Sequence, residues 1–224
     1  MFEYIINNSN RVLQLTIEHL YIVLFAIVIS IITALPIGIF IHLNKKYSKL
    51  IVRVANVLMT IPSIAMFGIL LPLLAPFNLS LGKTPAIIAL VLYNQLPIIN
   101  NTYTALESID RSVVDAAKGI GLSKYYILKD VTIPLSLPII LSGIRVASIM
   151  SIGIASIAAY IGSGGLGVLI QQGITRIYME MVLTGAILIS MIAIMIDLLM
   201  HFIEYMITPK GISIARKNVK NEKL

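Results

Sequence analysis

The chain has 224 residues, 58% of them hydrophobic and 12% charged, with a mean hydropathy of +0.95. Soluble domains carry about 25% charged residues, so this chain belongs to a bilayer. It has no cysteine, which excludes a disulfide framework, a thiolate metal site and a cysteine nucleophile. Its net charge of +7 reads in a membrane protein as basic cytoplasmic loops rather than as nucleic-acid binding.

In chain order, the opening MFEYIINNSN lacks a basic n-region, and the apolar run after it exceeds the roughly 7–15 residues of a signal-peptide core. The expectation is an extracytoplasmic segment over 1–16, followed by a retained first span. A crossing helix needs about 20 apolar residues. Stretches nearly free of charge predict spans near 17–43, 52–75, 84–106, 134–160 and 180–207, with a sixth, short or re-entrant, hidden in 161–178. The expected fold is therefore an all-α polytopic membrane protein of about five transmembrane helices. The membrane domain covers 17–209, and 210–224 is a basic tail too short for a soluble catalytic domain.

Lysine and arginine set the orientation. Lys45, Lys46, Lys49 and Arg53 flank the first loop. Arg111, Lys118, Lys124 and Lys129 lie in or beside 111–134. Lys210, Arg216, Lys217, Lys220 and Lys223 crowd the tail. Thirteen of the seventeen basic residues thus fall on one side, predicting an outside N-terminus and an inside C-terminus.

The segment VVDAAKGIGLSKYYILKDVTIPLSLP, 113–138, interrupts the apolar pattern. Ser112 to Asp115 fits a capping box, in which the serine hydroxyl takes the N3 amide and the acid reaches back. Gly121 suits the left-handed position that stops a helix. Ser123 can cap a second short helix, YYILKD, which Pro134 and Pro138 end while opening the next span. A plain surface hairpin would satisfy this capping. However, Val114, Ile120, Leu122, Tyr125, Ile127 and Leu128 are too many apolar groups for a solvated loop, and exposed apolar patches mark interaction surfaces.

This segment resembles the EAA loop of permease subunits of bacterial ATP-binding-cassette importers. That pattern is E-A-A, three residues, G, nine residues, then I-x-L-P. Here it reads Asp115-Ala116-Ala117, three residues, Gly121, nine residues, then Val131-Thr132-Ile133-Pro134. The segments 60–77, 85–106 and 158–174 resemble the branch that serves glycine betaine, carnitine, choline and related osmoprotectants; the methionine-importer branch is similar in layout. The resemblance implies the type I importer permease fold and a coupling element in which Asp115, Ala116, Ala117, Gly121, Ser123, Tyr125, Leu128 and Pro134 dock on a separate ATPase. It further implies two cytoplasmic ATPase subunits carrying ATP-Mg, a second permease subunit of identical or sister sequence, and an extracytoplasmic binding protein. This chain would then bind no cofactor of its own, sit in lipid, and hydrolyse nothing.

Other chemistry is weak. Leu81-Gly82-Lys83-Thr84 ends like a phosphate-binding loop, but Phe77 stands where the motif needs glycine. The stretch 162–167, GSGGLG, matches a dinucleotide fingerprint by letter but follows a transmembrane helix rather than a strand. It is either a flexible turn or backbone bent into the outer mouth of the pathway. His19, His42 and His201 share no ligand spacing, so they read as satisfied interfacial histidines and not as a metal site.

Gly143, Ala147, Ser151, Ala155 and Ala159 place a small residue at every fourth position of the fourth span, for packing within the subunit or across a dimer. Polar residues in the third span face either a cavity or other helices; Tyr93, Asn94 and Asn100, with Ser148 from the fourth, are the pathway candidates. Arg145 and Asp197 are the charges set inside spans, either paired with one another or snorkelling. With no tryptophan and 7% aromatics, a tight cation–π cage for quaternary ammonium is not expected in this chain. Two rivals from other classes are a secondary transporter, which calls for internal repeats and midplane ion sites, and a membrane enzyme with paired acids. Neither signature is visible.

Overall fold

The computed structural model describes residues 2–208, so the 210–224 tail lies outside the described residues. Among these the chain is helical with no strand. Helix α1 (Phe2–Asn7) leads into α2 (Ser9–Leu43), so most of the expected N-terminal segment is helical and continuous with the first span. There follow α3 (Lys45–Thr60), α4 (Ser63–Leu74), α5 (Lys83–Glu107), α6 (Arg111–Gly119), α7 (Lys124–Tyr126), α8 (Ile133–Ile157), α9 (Gly167–Thr175) and α10 (Met179–Ile207).

Three helical stretches are long and apolar enough to cross a membrane: Ser9–Leu43, Lys124–Ile161 and Met179–Ile207. The expected second span is not one straight helix. It breaks between Thr60 and Ser63, and its halves bend by 101°. The cause is Pro62, which lacks an N–H and pushes the residue before it out of the helical region; Ile61 is extended, with φ −66 and ψ 126.

Helix α5 is long enough to cross, about 37 Å at 1.5 Å per residue, yet it misses the apolarity of the other three. It is the interior helix, running parallel to α2 and antiparallel to α8. Several of its polar groups bond to neighbouring helices. Asn94 Nδ2 donates to Ser30 Oγ (3.1 Å) and Ser151 Oγ donates to Asn94 Oδ1 (2.9 Å), linking α2, α5 and α8. Gln95 donates to Thr33 at 3.0 Å, and Ser136 Oγ to the Ala105 carbonyl at 3.1 Å.

The small-residue row of α8 is buried inside the single chain. A Cβ on Gly143 would lie 2.8 Å from the Pro97 carbonyl oxygen of α5, so packing within the subunit explains the row. Arg145 and Asp197 join α8 to α10 by a two-pronged ion pair, with Nε–Oδ1 at 2.5 Å and Nη2–Oδ2 at 2.8 Å.

The 161–178 stretch holds only α9, about 14 Å long, which packs back on α10 and is too short to cross. The glycine-rich turn before it lies against α2, where Gly165 N donates to Glu18 Oε2 at 3.2 Å. His19 is fully buried beside that turn. It reaches the Ile152 carbonyl through Nε2 at 3.2 Å while Nδ1 has no partner, so it is an interior histidine rather than an interfacial one.

Candidate coupling loop and pathway

Between α5 and α8 the chain makes a helix, a glycine turn and a second helix. The first cap is not the expected one. Asp110 is the N-cap and accepts from Ser112 N at 2.8 Å, a bond that lowers the Asp110 pKa from its usual value. Asp115 does not reach back; it pairs with Lys118 one turn on, at 2.8 Å. The pair is exposed, so it contributes little to stability.

Gly121 has φ +85. Its N–H donates to the Lys118 carbonyl at 2.9 Å, and Leu122 N to the Ala117 carbonyl at 3.2 Å. These two bonds form a Schellman motif, which needs a left-handed residue at that position.

Beyond the turn, Ser123 stands at the start of α7 but makes no side-chain cap. The second helix does not end at Pro134. A wider, π-type turn over Ile127–Thr132 joins α7 to α8, with Thr132 Oγ1 donating to the Ile127 carbonyl at 3.1 Å. Pro134 has no N–H for the Asp130 carbonyl and its ring crowds that group; the wider turn accommodates both effects. The result is one 38-residue helix, Lys124–Ile161, running from the loop through the bundle.

The outer side of the loop is apolar and uncovered. Ile120 is 80% exposed and Tyr125 65%, with Tyr126 and Val113 beside them. Ala117 is buried while Ala116 is exposed. Leu128 faces inward, toward a cavity beneath the loop. At the root of the loop Glu107, the exposed last residue of α5, accepts from His42 Nδ1 and Lys45 Nζ, both at 2.7 Å. Burial works to raise the Glu107 carboxyl, but the hydrogen bonds from Lys45 and His42 and the adjacent charge outweigh it and hold it below the ordinary value. This clamp fixes the corner between α2 and α3 to the lead-in of the loop.

The four pathway candidates do not share one surface. Asn94 and Ser148 are inside the bundle, the latter bonded to the Ile144 carbonyl of its own helix. Tyr93 is also buried, and its hydroxyl donates to the Ile61 carbonyl at 2.5 Å, fastening the break between α3 and α4. Asn100 is exposed and lines a cavity of about 220 Å3 with Asn56, Met59, Leu96 and Pro97. Asn56 escaped the sequence reading because it is exposed on the polar side of α3 with Lys49, Arg53 and Thr60, where nothing sets it apart.

The described helices thus form a membrane bundle in which one transmembrane helix is prolonged into an apolar surface loop. The chain belongs to the family described as binding-protein-dependent transport system inner membrane component, which matches residues 26–210. Over 93% of its length it is 41% identical to the osmoprotectant import permease protein OsmW of Salmonella typhimurium, covering 97% of that protein. It is 38% identical to the glycine betaine/carnitine/choline transport system permease protein OpuCB of Bacillus subtilis, over 95% of each chain. Among solved structures, an inward-facing form of the MetNI methionine ABC transporter superposes with a TM-score of 0.80 at 20% identity, covering 90% of this chain and 98% of that one. That likeness is one of fold.

Proposed function

We propose that this chain is the permease subunit of an ATP-driven importer for quaternary-ammonium compatible solutes such as glycine betaine, carnitine and choline. The observation that carries this reading is the loop itself: an uncovered apolar surface on a short helix pair whose second member continues as one helix through the bundle. A partner gripping Ile120 and Tyr125 would move the whole of Lys124–Ile161 as a lever. The partner is a cytoplasmic ATPase subunit, one for each of two permease subunits, and ATP-Mg is bound there. The solute preference follows the named relatives.

The loop and the 210–224 tail face the cytoplasm, the N-terminal residues 1–16 face outward, and 17–209 forms the membrane domain. Coupling rests on Asp115, Ala116, Ala117, Gly121, Ser123, Tyr125, Leu128 and Pro134. Asn56 and Asn100 offer amides to passing solute without an aromatic cage, so capture falls to an extracytoplasmic binding protein. Tyr93, Asn94 and Ser148 hold the helices around that path.

The chain has no cysteine of its own, so Ile120→Cys gives a unique label. It should cross-link to the ATPase subunit and react with impermeant reagents only from the cytoplasmic side. Labelling from outside intact cells would overturn the orientation and the coupling role together.

A further inference from the structure

Beneath the coupling loop lies a second cavity, of about 600 Å3, bounded by the Leu43–Lys45 corner, the end of α5 and the inner faces of α6 and α7. Arg111, Val114, Asp115 and Lys118 line it from one face of α6, the spacing that stacks side chains along a helix. Ile120 and Tyr125, the most exposed apolar residues of the loop, lie outside it, although Asp115 and Leu128 of the coupling set line it. Its charge is unbalanced. Glu107 is taken by His42 and Lys45, and Asp115 by Lys118. Arg111 and Lys124 line the same cavity from two different helices with no ion-pair partner among the described residues. Its wall is apolar at Leu43, Ile109 and Leu128, and Leu43 is 60% exposed at the very end of the first span.

We infer that this cavity binds the phosphate headgroup of an anionic phospholipid, with Arg111 and Lys124 on the phosphate and an acyl chain leaving past Leu43. Two free cations call for an anion, and the apolar edge calls for one that carries hydrocarbon. Basic pockets at the cytoplasmic ends of transmembrane helices recognise anionic headgroups in this way. The site rests on the reading that this end of the bundle lies at the cytoplasmic leaflet. A lipid seated there would brace the inner side of α6 and α7 while the ATPase holds the outer side.

The full-length chain in neutral detergent is titrated with a fluorescent phosphatidylglycerol, with phosphatidylcholine and inorganic phosphate as competitors. The expected result is binding that neither competitor displaces at equal concentration. Arg111→Gln with Lys124→Gln should weaken it by about tenfold or more. Lys46→Gln with Lys49→Gln removes the same charge outside the cavity and should leave affinity nearly unchanged. Equal loss in both pairs would assign the binding to diffuse surface charge, and displacement by inorganic phosphate to a free-anion site; either overturns the lipid. So does the first pair losing the ATPase subunit while keeping its lipid affinity, since those cations would then belong to the docking side. Binding is read without ATPase or transport, so a failed titration leaves the coupling reading standing, and a failed coupling assay leaves the lipid site standing.

Discussion

Gly121 is the position where one substitution separates backbone conformation from contact. Its φ of +85 is left-handed, and a Cβ added there would meet nothing within 4 Å in this subunit. Any cost inside the chain is therefore conformational, about 1–2 kcal/mol for an L-residue and least for asparagine. That cost lowers the population of the native turn relative to its alternatives by about 5–30-fold. Gly121→Ala should reduce solute-stimulated ATP hydrolysis and uptake in proteoliposomes containing the ATPase. Gly121→Val, β-branched and therefore more strained, should reduce both further, and Gly121→Asn should stay near wild type. All three should insert in normal amounts, because the turn lies outside the bundle. Wild-type coupling in Gly121→Val would refute the reasoning. An asparagine variant as damaged as valine would show that side-chain volume against the ATPase, rather than φ, sets the requirement.

Gly143→Ala should cost about 1–3 kcal/mol by forcing α8 away from α5, whereas Gly153→Ala, where a Cβ meets nothing within 4 Å, should be neutral or slightly stabilising; melting in detergent distinguishes them, and equal shifts would contradict the packing. Arg145→Met leaves Asp197 alone between α8 and α10. With side chains about a third exposed, the variant should melt lower, by more than loss of a fully exposed pair would cause; the swap Arg145→Asp with Asp197→Arg should restore part of the loss. The depressed Glu107 carboxyl stabilises the fold above its ordinary value of 4.5, and that contribution is lost as pH falls through the lower folded value. Wild type should therefore outmelt Glu107→Gln near neutrality, and the gap should close in acid. A gap that persists at low pH would rule out the clamp as its source.

The apolar runs at 17–43, 134–160 and 180–207 announced their helices because lipid-facing residues must be apolar on all uncovered sides. The break at Ile61-Pro62 was not read, although proline restricts the residue before it, because the apolar residues on both sides suggested one span over 52–75. Helix α5 was harder. Asn94 and Gln95 look the same in sequence whether they meet water or hydroxyls of neighbouring helices, and only the placement of Ser30, Thr33 and Ser151 decides it. In the loop, Gly121 was readable from its stop position. The cap was not: Asp110 and Ser112 are both good N-caps, and the box built on Ser112 asked Asp115 to do what a glutamate, one methylene longer, does better. The continuity of Lys124–Ile161 was hidden because prolines usually end helices, and here a wider turn takes up the missing bond.

The most direct test of the central claim is ATP-dependent uptake of labelled glycine betaine, carnitine and choline into proteoliposomes. These carry the permease and its ATPase subunits, with the binding protein supplied outside. The account predicts accumulation of at least one of the three that requires ATP, the ATPase and the binding protein together. Accumulation driven by a proton or sodium gradient without the ATPase would contradict it.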